Sequence, residues 1–257
     1  MADTKGIGGL DELGIPAVMT ADGPAGLRIV PERGVKTTAW PVATLLACTW
    51  DPELVYAVGE AGAKEVRENN IGMWLTPAIN IHRSPLCGRN FEYYSEDPLV
   101  AGKLAAAMVR GIQSQHVSAC VKHFCCNNKE TNRCASDSRV SERALREIYL
   151  KAFRIVAEEA DVWAVMTSYN RTNGVYTSEN AELLTGILRE EWGYDGLVIT
   201  DWDNWAEQYR EALAGNNVRM PHGSPKRLQK AMELGLITRE QLTANACHVL
   251  EWLLKLD

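Results

Sequence analysis

The 257-residue sequence lacks any uninterrupted apolar run near the roughly 18 residues that a membrane-crossing helix requires. Its first nine residues hold neither an apolar signal core nor a cleavage site. These two absences exclude a helical anchor and predict a cytoplasmic chain that its own N-terminus does not export. The seven cysteines (48, 87, 120, 125, 126, 134 and 247) form no CxxC pair and are odd in number, as expected of reduced thiols serving mostly as small core residues. The five histidines (82, 116, 123, 222 and 248) form neither HxxxH nor HExxH, so no metal is expected. No glycine-rich segment joins a strand to a helix start as a phosphate loop does, and no cofactor is expected either. At a net charge of -6 with both signs interspersed, there is no basic stripe for nucleic acid and no lysine-rich face for a membrane surface. Repeats, low-complexity linkers and composition shifts are absent as well, which leaves one domain over residues 1–257.

What the chain does contain is an alternation of apolar strands and amphipathic helices. Strands are expected at residues 15–21, 42–47, 71–76, 117–121, 163–167, 197–200 and 218–220, about seven in all. Between them, Asp51-Pro52 and Asp97-Pro98 each supply an N-cap followed by a proline at the first helical position, opening helices to about residues 68 and 115. Further helices are predicted over 141–159 and 180–191. A capping box, Thr238 to Gln241, starts a closing helix to residue 256. Alternation of this kind implies parallel pairing with right-handed crossovers, an α/β fold of the (β/α)8 TIM-barrel type that is one strand short or collapsed at its first strand.

The run Leu197-Val198-Ile199-Thr200 delivers Asp201 and then Trp202 at the C-terminal end of a buried strand, where parallel α/β sheets place their chemistry. An N-cap role for Asp201, opening a helix over 204–214, is the plain structural alternative. If the alternation closes, Asp22, the Arg89 loop, Lys122, His123, Tyr169 and Asp201 all reach one rim. The long polar loop over 77–97, with Asn80, His82, Arg89 and Glu92, is also of a kind that binds something. Such a cup of charged, forked hydrogen-bonders, with Met166 and Trp202 as apolar surface, matches the hydroxyl edge and C–H faces of a pyranose. Phosphate is the rival for Lys122 and Arg89, but two carboxylates in the cup would repel an anion. By contrast, His116, His222 and His248 read as surface or helix residues. Glu142, Glu147, Glu158 and Glu159 read as a solvated helix face, and Cys125-Cys126 as packing. Arg133 and Glu130 fit a structural ion pair as well as they fit ligands.

The runs DGPAGLR (22–28), GRNFEYYSEDP (88–98), KHF (122–124), NNKETNR (127–133), SERALREIYLKAF (141–153), MTSYNRTNG (166–174) and ILREEWGYDGLVITDW (187–202) resemble the barrel domain of glycoside hydrolase family 3, the β-glucosidase group. The resemblance implies Asp201 as the nucleophile. It implies a substrate-binding set of Asp22, Arg28, Arg89, Lys122, His123, Arg133, Met166, Tyr169 and Trp202, for a β-glucoside or oligosaccharide substrate. Two departures bear on chemistry. Asn217 stands where many members carry aspartate. A retaining hydrolase also needs a second carboxyl about 5–5.5 Å from the first, which β-glucosidases of this family draw from an α/β sandwich domain that has no counterpart in this chain. KHF continues as Cys125-Cys126-Asn127, so the histidine-aspartate loop of the β-N-acetylglucosaminidase branch has no counterpart either. The expectation is therefore the barrel half of a retaining β-glucosidase, whose acid/base glutamate comes from a sandwich domain or partner chain. The alternatives are a catalytically incomplete sugar-binding fragment and, third, a phosphate-binding barrel enzyme.

Overall fold

The computed structural model describes residues 6–256. Five parallel strands, Thr20–Ala21, Met73–Trp74, Ser118–Phe124, Ala164–Thr167 and Leu197–Ile199, pair in sequence order, each with the next. A single parallel bridge, Ile199 to Val218, extends this arc. The arrangement is a TIM-barrel-like α/β fold that does not close among the described residues, in keeping with the expected shortfall of strands.

Side-chain alternation decides which residues face which layer. Ala119, Val121, Val165 and Val198 pack outward against the helices. Cys120, Ala164, Met166, Leu197 and Ile199 point inward with Met73 and Met220. The closing helix Arg239–Leu254 plugs this inner layer with Trp252, 1% exposed, whose indole N–H donates to Ser118 Oγ at 3.0 Å. The plug fills the interior below Met166, and the cavity above it is lined by residues at the C-terminal strand ends.

On the outer layer, helices Pro52–Glu68 and Pro98–Gln113 begin as their Asp-Pro pairs predict, with Asp51 and Asp97 accepting from the Leu54 and Leu99 amides. They approach closely because glycines face each other. A Cβ on Gly59 would lie 2.6 Å from the Met108 carbonyl oxygen, and one on Gly111 would lie 2.2 Å from that of Tyr56. Alanine at either position would force the helices apart.

Several expectations need correction. Residues 42–47 are not a strand: Ala43–Ala47 is a short α-helix, held by Thr44 Oγ1 donating to the carbonyls of Asn90 and Tyr93. Its apolar run is too short for periodicity to separate helix from strand. Residues 218–220 contribute only the Val218 bridge. The segment predicted over 141–159 is helical but takes a π-helical turn at Leu145–Tyr149, and Glu182–Glu191 is π-helical as well. Helix Pro225–Glu233 was not anticipated, although Ser224-Pro225 carries the same cap-and-proline signal as the two outer helices. Asp201 is not an N-cap, since the next helix is Gln208–Ala214 with Glu207 at that position. Glu142, Glu147 and Glu158 do lie on a solvated face, in pairs with Arg146, Arg143 and Arg154 four residues away.

Asn217 is an acceptor for Arg189. The guanidinium donates to the carbonyls of Tyr194, Gly196 and Gly215 and to Asn217 Oδ1 at 2.9 Å, and its Nε has no partner. Every acceptor is neutral, and burial pulls the Arg189 pKa down. Asn217→Asp keeps the acceptor for Val198 N–H and adds a counter-charge, at the cost of the weak 3.4 Å bond to the Asn245 carbonyl. We expect this substitution to raise stability at neutral pH by about 1 kcal/mol, read as a higher midpoint in thermal unfolding. A lower midpoint would show that Arg189 is already satisfied.

Candidate active site

Each strand end contributes. Asp22 follows strand Thr20–Ala21, Lys122 and His123 lie near the end of Ser118–Phe124, Met166 and Tyr169 bracket the end of Ala164–Thr167, and Asp201 lies two residues past Ile199. Ordinary alternation would turn Lys122 and His123 to opposite faces. The pairing with Ala164–Thr167 shifts register between Lys122 and Phe124, an irregularity that lets both residues face one space. Asn80, from the long loop, holds this bulge by donating through Nδ2 to the His123 carbonyl and accepting its amide, both at 2.9 Å.

The space is a cavity of about 980 Å³. Asp22, Arg28, Arg89, Lys122, His123, Arg133, Met166, Tyr169, Asp201 and Trp202 all line it. So do Glu92 and Glu130, which the sequence offered on the long polar loop and as the candidate partner of Arg133, and Phe91, Asp203 and His222, which sequence reasoning did not place there. Glu92 and Glu130 had a readable signal, each standing three residues from the arginine it holds. The contribution of His222, read as a plain surface histidine, depends on the chain path after Val218 and had no local signature.

Charge is distributed unevenly over these groups. Asp22 binds Lys122 Nζ through one oxygen and Arg28 through the other, both at 2.5 Å. Burial pushes its carboxyl up, but the Lys122 and Arg28 charges outweigh that and hold its pKa at about 2. Glu92 is buried and pairs with Arg89. Glu130 pairs with Arg133 at 3.0 Å, and the Arg133 guanidinium lies 4.4 Å over the Tyr169 ring. Arg133 is thus at once a structural ion pair and a cavity wall.

Asp201 differs. One oxygen accepts from the Trp202 amide at 2.7 Å. The other, Oδ2, is buried with no hydrogen-bond partner and lies 3.6 Å from His123 Nε2, beyond hydrogen-bond reach. Burial raises the Asp201 pKa, against the nearby charges of Arg89 and Lys122 and the Trp202 amide. His123 is buried, and desolvation reinforced by Arg89, Lys122 and Arg133 holds its pKa well below the ordinary imidazole value, so the ring is neutral. Tyr169 stays protonated, raised by burial and by the Asp201 charge. The result is a desolvated carboxylate whose Oδ2 has no hydrogen-bond partner of ordinary geometry, with the Tyr169 hydroxyl and the cations close by. A cation or an electrophilic carbon fits there and an anion does not. Among the described residues no group of three or more His, Cys, Asp or Glu side chains is placed to hold a metal.

Because Asp201 binds its proton more tightly when folded than when unfolded, the fold loses stability as pH rises through its raised pKa. Asp201→Asn is therefore expected to be more stable than the parent at pH 7, by about 1 kcal/mol, or roughly 2–4 °C. The advantage should shrink as pH falls toward the ordinary carboxylate range. Asp22→Asn should do the reverse, losing about 2 kcal/mol at pH 7, with the parent giving up that advantage between about pH 4 and 2 as Asp22 itself protonates. Thermal unfolding of the parent and both variants over pH 3–8 checks both signs.

Three comparisons bear on this geometry. Residues 9–252 match the profile of the glycosyl hydrolase family 3 N-terminal domain. The chain is 58% identical over 242 residues to beta-glucosidase A of Butyrivibrio fibrisolvens, covering 94% of this chain and 29% of that protein. It is 44% identical over 244 residues to an exo-alpha-(1->6)-L-arabinopyranosidase of Bifidobacterium longum, covering 91% of this chain and 32% of the relative. Among solved structures it superposes on beta-glucosidase 3B from Thermotoga neapolitana in complex with alpha-D-glucose, with a TM-score of 0.94, 44% identity, and coverage of 97% of this chain and 37% of that one. The chain thus spans about three-tenths of the curated relatives it matches, which carry further sequence beyond the matched part. With the profile spanning nearly the whole length and the fold matching at this identity, the chain belongs to glycosyl hydrolase family 3, as its N-terminal domain.

Proposed function

We propose that this chain is the barrel half of a retaining β-glucosidase, acting on terminal non-reducing β-D-glucosyl residues, with Asp201 as its nucleophile. The observation that carries the reading is the buried Oδ2 of Asp201, which has no partner while Asp22, Glu92 and Glu130 each hold a cation. In the first step Oδ2 bonds to the anomeric carbon as the glycosidic C–O bond breaks, and the leaving oxygen takes a proton from an acid. In the second, water attacks the same carbon, gives its proton to that group now acting as base, and restores Asp201. Neutral His123 cannot repel the oxocarbenium-like charge that develops at the ring. Asp22, Lys122, Arg28 and Arg89 bind hydroxyls, Arg133 and Tyr169 flank the nucleophile, and Met166 and Trp202 receive the C–H faces.

The acid/base is assigned to an α/β sandwich domain, or a partner chain, of the kind that longer relatives have room to carry. A sugar-binding fragment is the reading for the chain by itself, because Asp22, Glu92 and Glu130 are committed to cations. Seven free thiols support a reducing, cytoplasmic setting.

Losing general acid/base help costs roughly 10²–10⁴-fold, so the isolated chain should be nearly inert toward cellobiose. A 2-deoxy-2-fluoroglucoside of dinitrophenol needs no proton on its leaving group and should label the protein slowly and persistently. Peptide mapping by mass spectrometry should find the adduct on Asp201 and lose it in Asp201→Asn. A label on another carboxylate, or brisk cellobiose hydrolysis, would overturn the assignment. Asp22→Ala and Lys122→Ala should each weaken binding of a glucose-like iminosugar by about 1–3 kcal/mol in calorimetry; unchanged affinity would remove these two from the glycone site.

A further inference from the structure

Asp201 Oδ1 accepts the amide of its own successor, Trp202, at 2.7 Å, so the orientation of the carboxylate follows the backbone just after it. No helix or strand holds that backbone, because the element after Leu197–Ile199 is the helix Gln208–Ala214. Asp203 moreover has a φ of 52°, in the left-handed region, a conformation that costs free energy and persists where its surroundings fix it. Whatever fixes residues 200–206 therefore decides where Asp201 Oδ2 points.

The holding groups come from residues 218–220. Thr200 N–H donates to the Val218 carbonyl at 2.9 Å, Met220 N–H to Thr200 Oγ1 at 2.8 Å, and Asp203 N–H to the Met220 carbonyl at 3.2 Å. Val218 and Met220 pack in the inner layer, so alternation sends the Arg219 side chain the other way, over the loop. Its guanidinium donates through Nη1 to the Ala206 carbonyl and to Glu211 Oε2, both at 2.8 Å, and through Nη2 to the Asn204 carbonyl at 2.9 Å. Asn204 Oδ1 in turn accepts the Ala206 amide at 2.9 Å. Glu211, on the helix Gln208–Ala214, has a side chain 1% exposed and pairs with Arg219. A carboxylate so buried needs that counter-charge, so each group of the pair fixes the other. The planar fork thereby joins the helix to two carbonyls of the nucleophile loop. Among the described residues that line the main cavity, neither Arg219 nor Glu211 is present, so the pair lies outside the cup.

We propose that Arg219, anchored by Glu211, is a positioning residue for the nucleophile: it clamps the loop whose backbone aims Asp201, without touching the sugar. The role rests on the reading of Asp201 as nucleophile, and the test separates the two. The full 257-residue chain and its variants Arg219→Lys and Glu211→Gln are treated with the dinitrophenyl 2-deoxy-2-fluoroglucoside, well below their unfolding midpoints. The rate of dinitrophenolate release against concentration gives an apparent dissociation constant and, separately, the limiting rate of bond formation to Asp201. Lysine keeps the charge opposite Glu211 but not the fork that serves two carbonyls, and glutamine keeps the shape of Glu211 but not its charge. Because a misplacement of about 1 Å costs on the order of 10²-fold, the limiting rate should fall about 10- to 100-fold in Arg219→Lys, with the dissociation constant held within about threefold. Glu211→Gln should show the same split. Folded variants that reach the parent's limiting rate overturn the positioning role and leave Asp201 standing, since a purely structural pair moves the unfolding midpoint alone. A dissociation constant that weakens as much as the rate falls makes the pair a determinant of sugar binding and overturns the role as well. If neither variant folds, the pair belongs to stability and the inference falls. A parent that releases no dinitrophenolate, or that carries the label on another carboxylate, overturns the nucleophile reading and the clamp together.

Discussion

The ion pair between Lys122 and Asp22 joins positions one hundred residues apart at 2.5 Å, and the rest of the cup is arranged around it. The Lys122 side chain is 3% exposed, and an ammonium so placed is tolerable only with a counter-charge and good geometry. Its partner comes from the first strand of the sheet, across the Met73–Trp74 strand, so the pair staples the short N-terminal edge to the central strand. That edge strand has two residues and little ladder energy of its own. Electrostatics therefore holds the first strand end in place where hydrogen-bond pairing is sparse.

Once Lys122 is charged and buried, other properties follow. Its field, added to those of Arg89 and Arg133, opposes a proton on His123 and partly compensates the desolvation of Asp201. The site thus contains two kinds of carboxylate. Asp22, Glu92 and Glu130 position cations, whereas Asp201 carries a burial cost only partly offset, with an oxygen to spare. Retaining such an oxygen lowers stability, and a functional site is where that cost is expected to be found. The same division leaves the donors and acceptors of the cup mostly matched internally, as the proposed neutral, polyhydroxylated substrate would require.

Packing sets the depth of this arrangement. Trp252 fills the inner layer from the far end and Met166 forms its upper surface, so bound groups meet a solid floor at the level of the strand ends. The bulge at His123 depends on Asn80, a residue of the long loop, which thereby acts on the site without lining it. The loop is long because it must do several things at once. It clamps His123 and carries Arg89, while His82 Nε2 lies within hydrogen-bond distance of the Asn90 and Tyr93 carbonyls.

Local chemistry made much of this legible in the chain itself. Asp-Pro caps marked two helix starts, Thr238 and Gln241 a third, and the alternation of apolar runs announced a parallel sheet, because caps, prolines and side-chain period act within a few residues. The residues of the cup were legible as well, since a parallel sheet sends every strand end to one edge. What the sequence left open depended on distant partners. Residues 42–47 became a helix because Thr44 finds carbonyls at Asn90 and Tyr93. The His123 bulge needed Asn80, and Val218 yielded only a bridge. His222 joined the cavity through the path of the chain between two helices. Above all, the identities of Asp22 and Asp201 were readable but their opposite pKa shifts were not: both are carboxylates at strand ends, and only the folded arrangement gives one of them two cations and the other an oxygen with no hydrogen-bond partner of ordinary geometry.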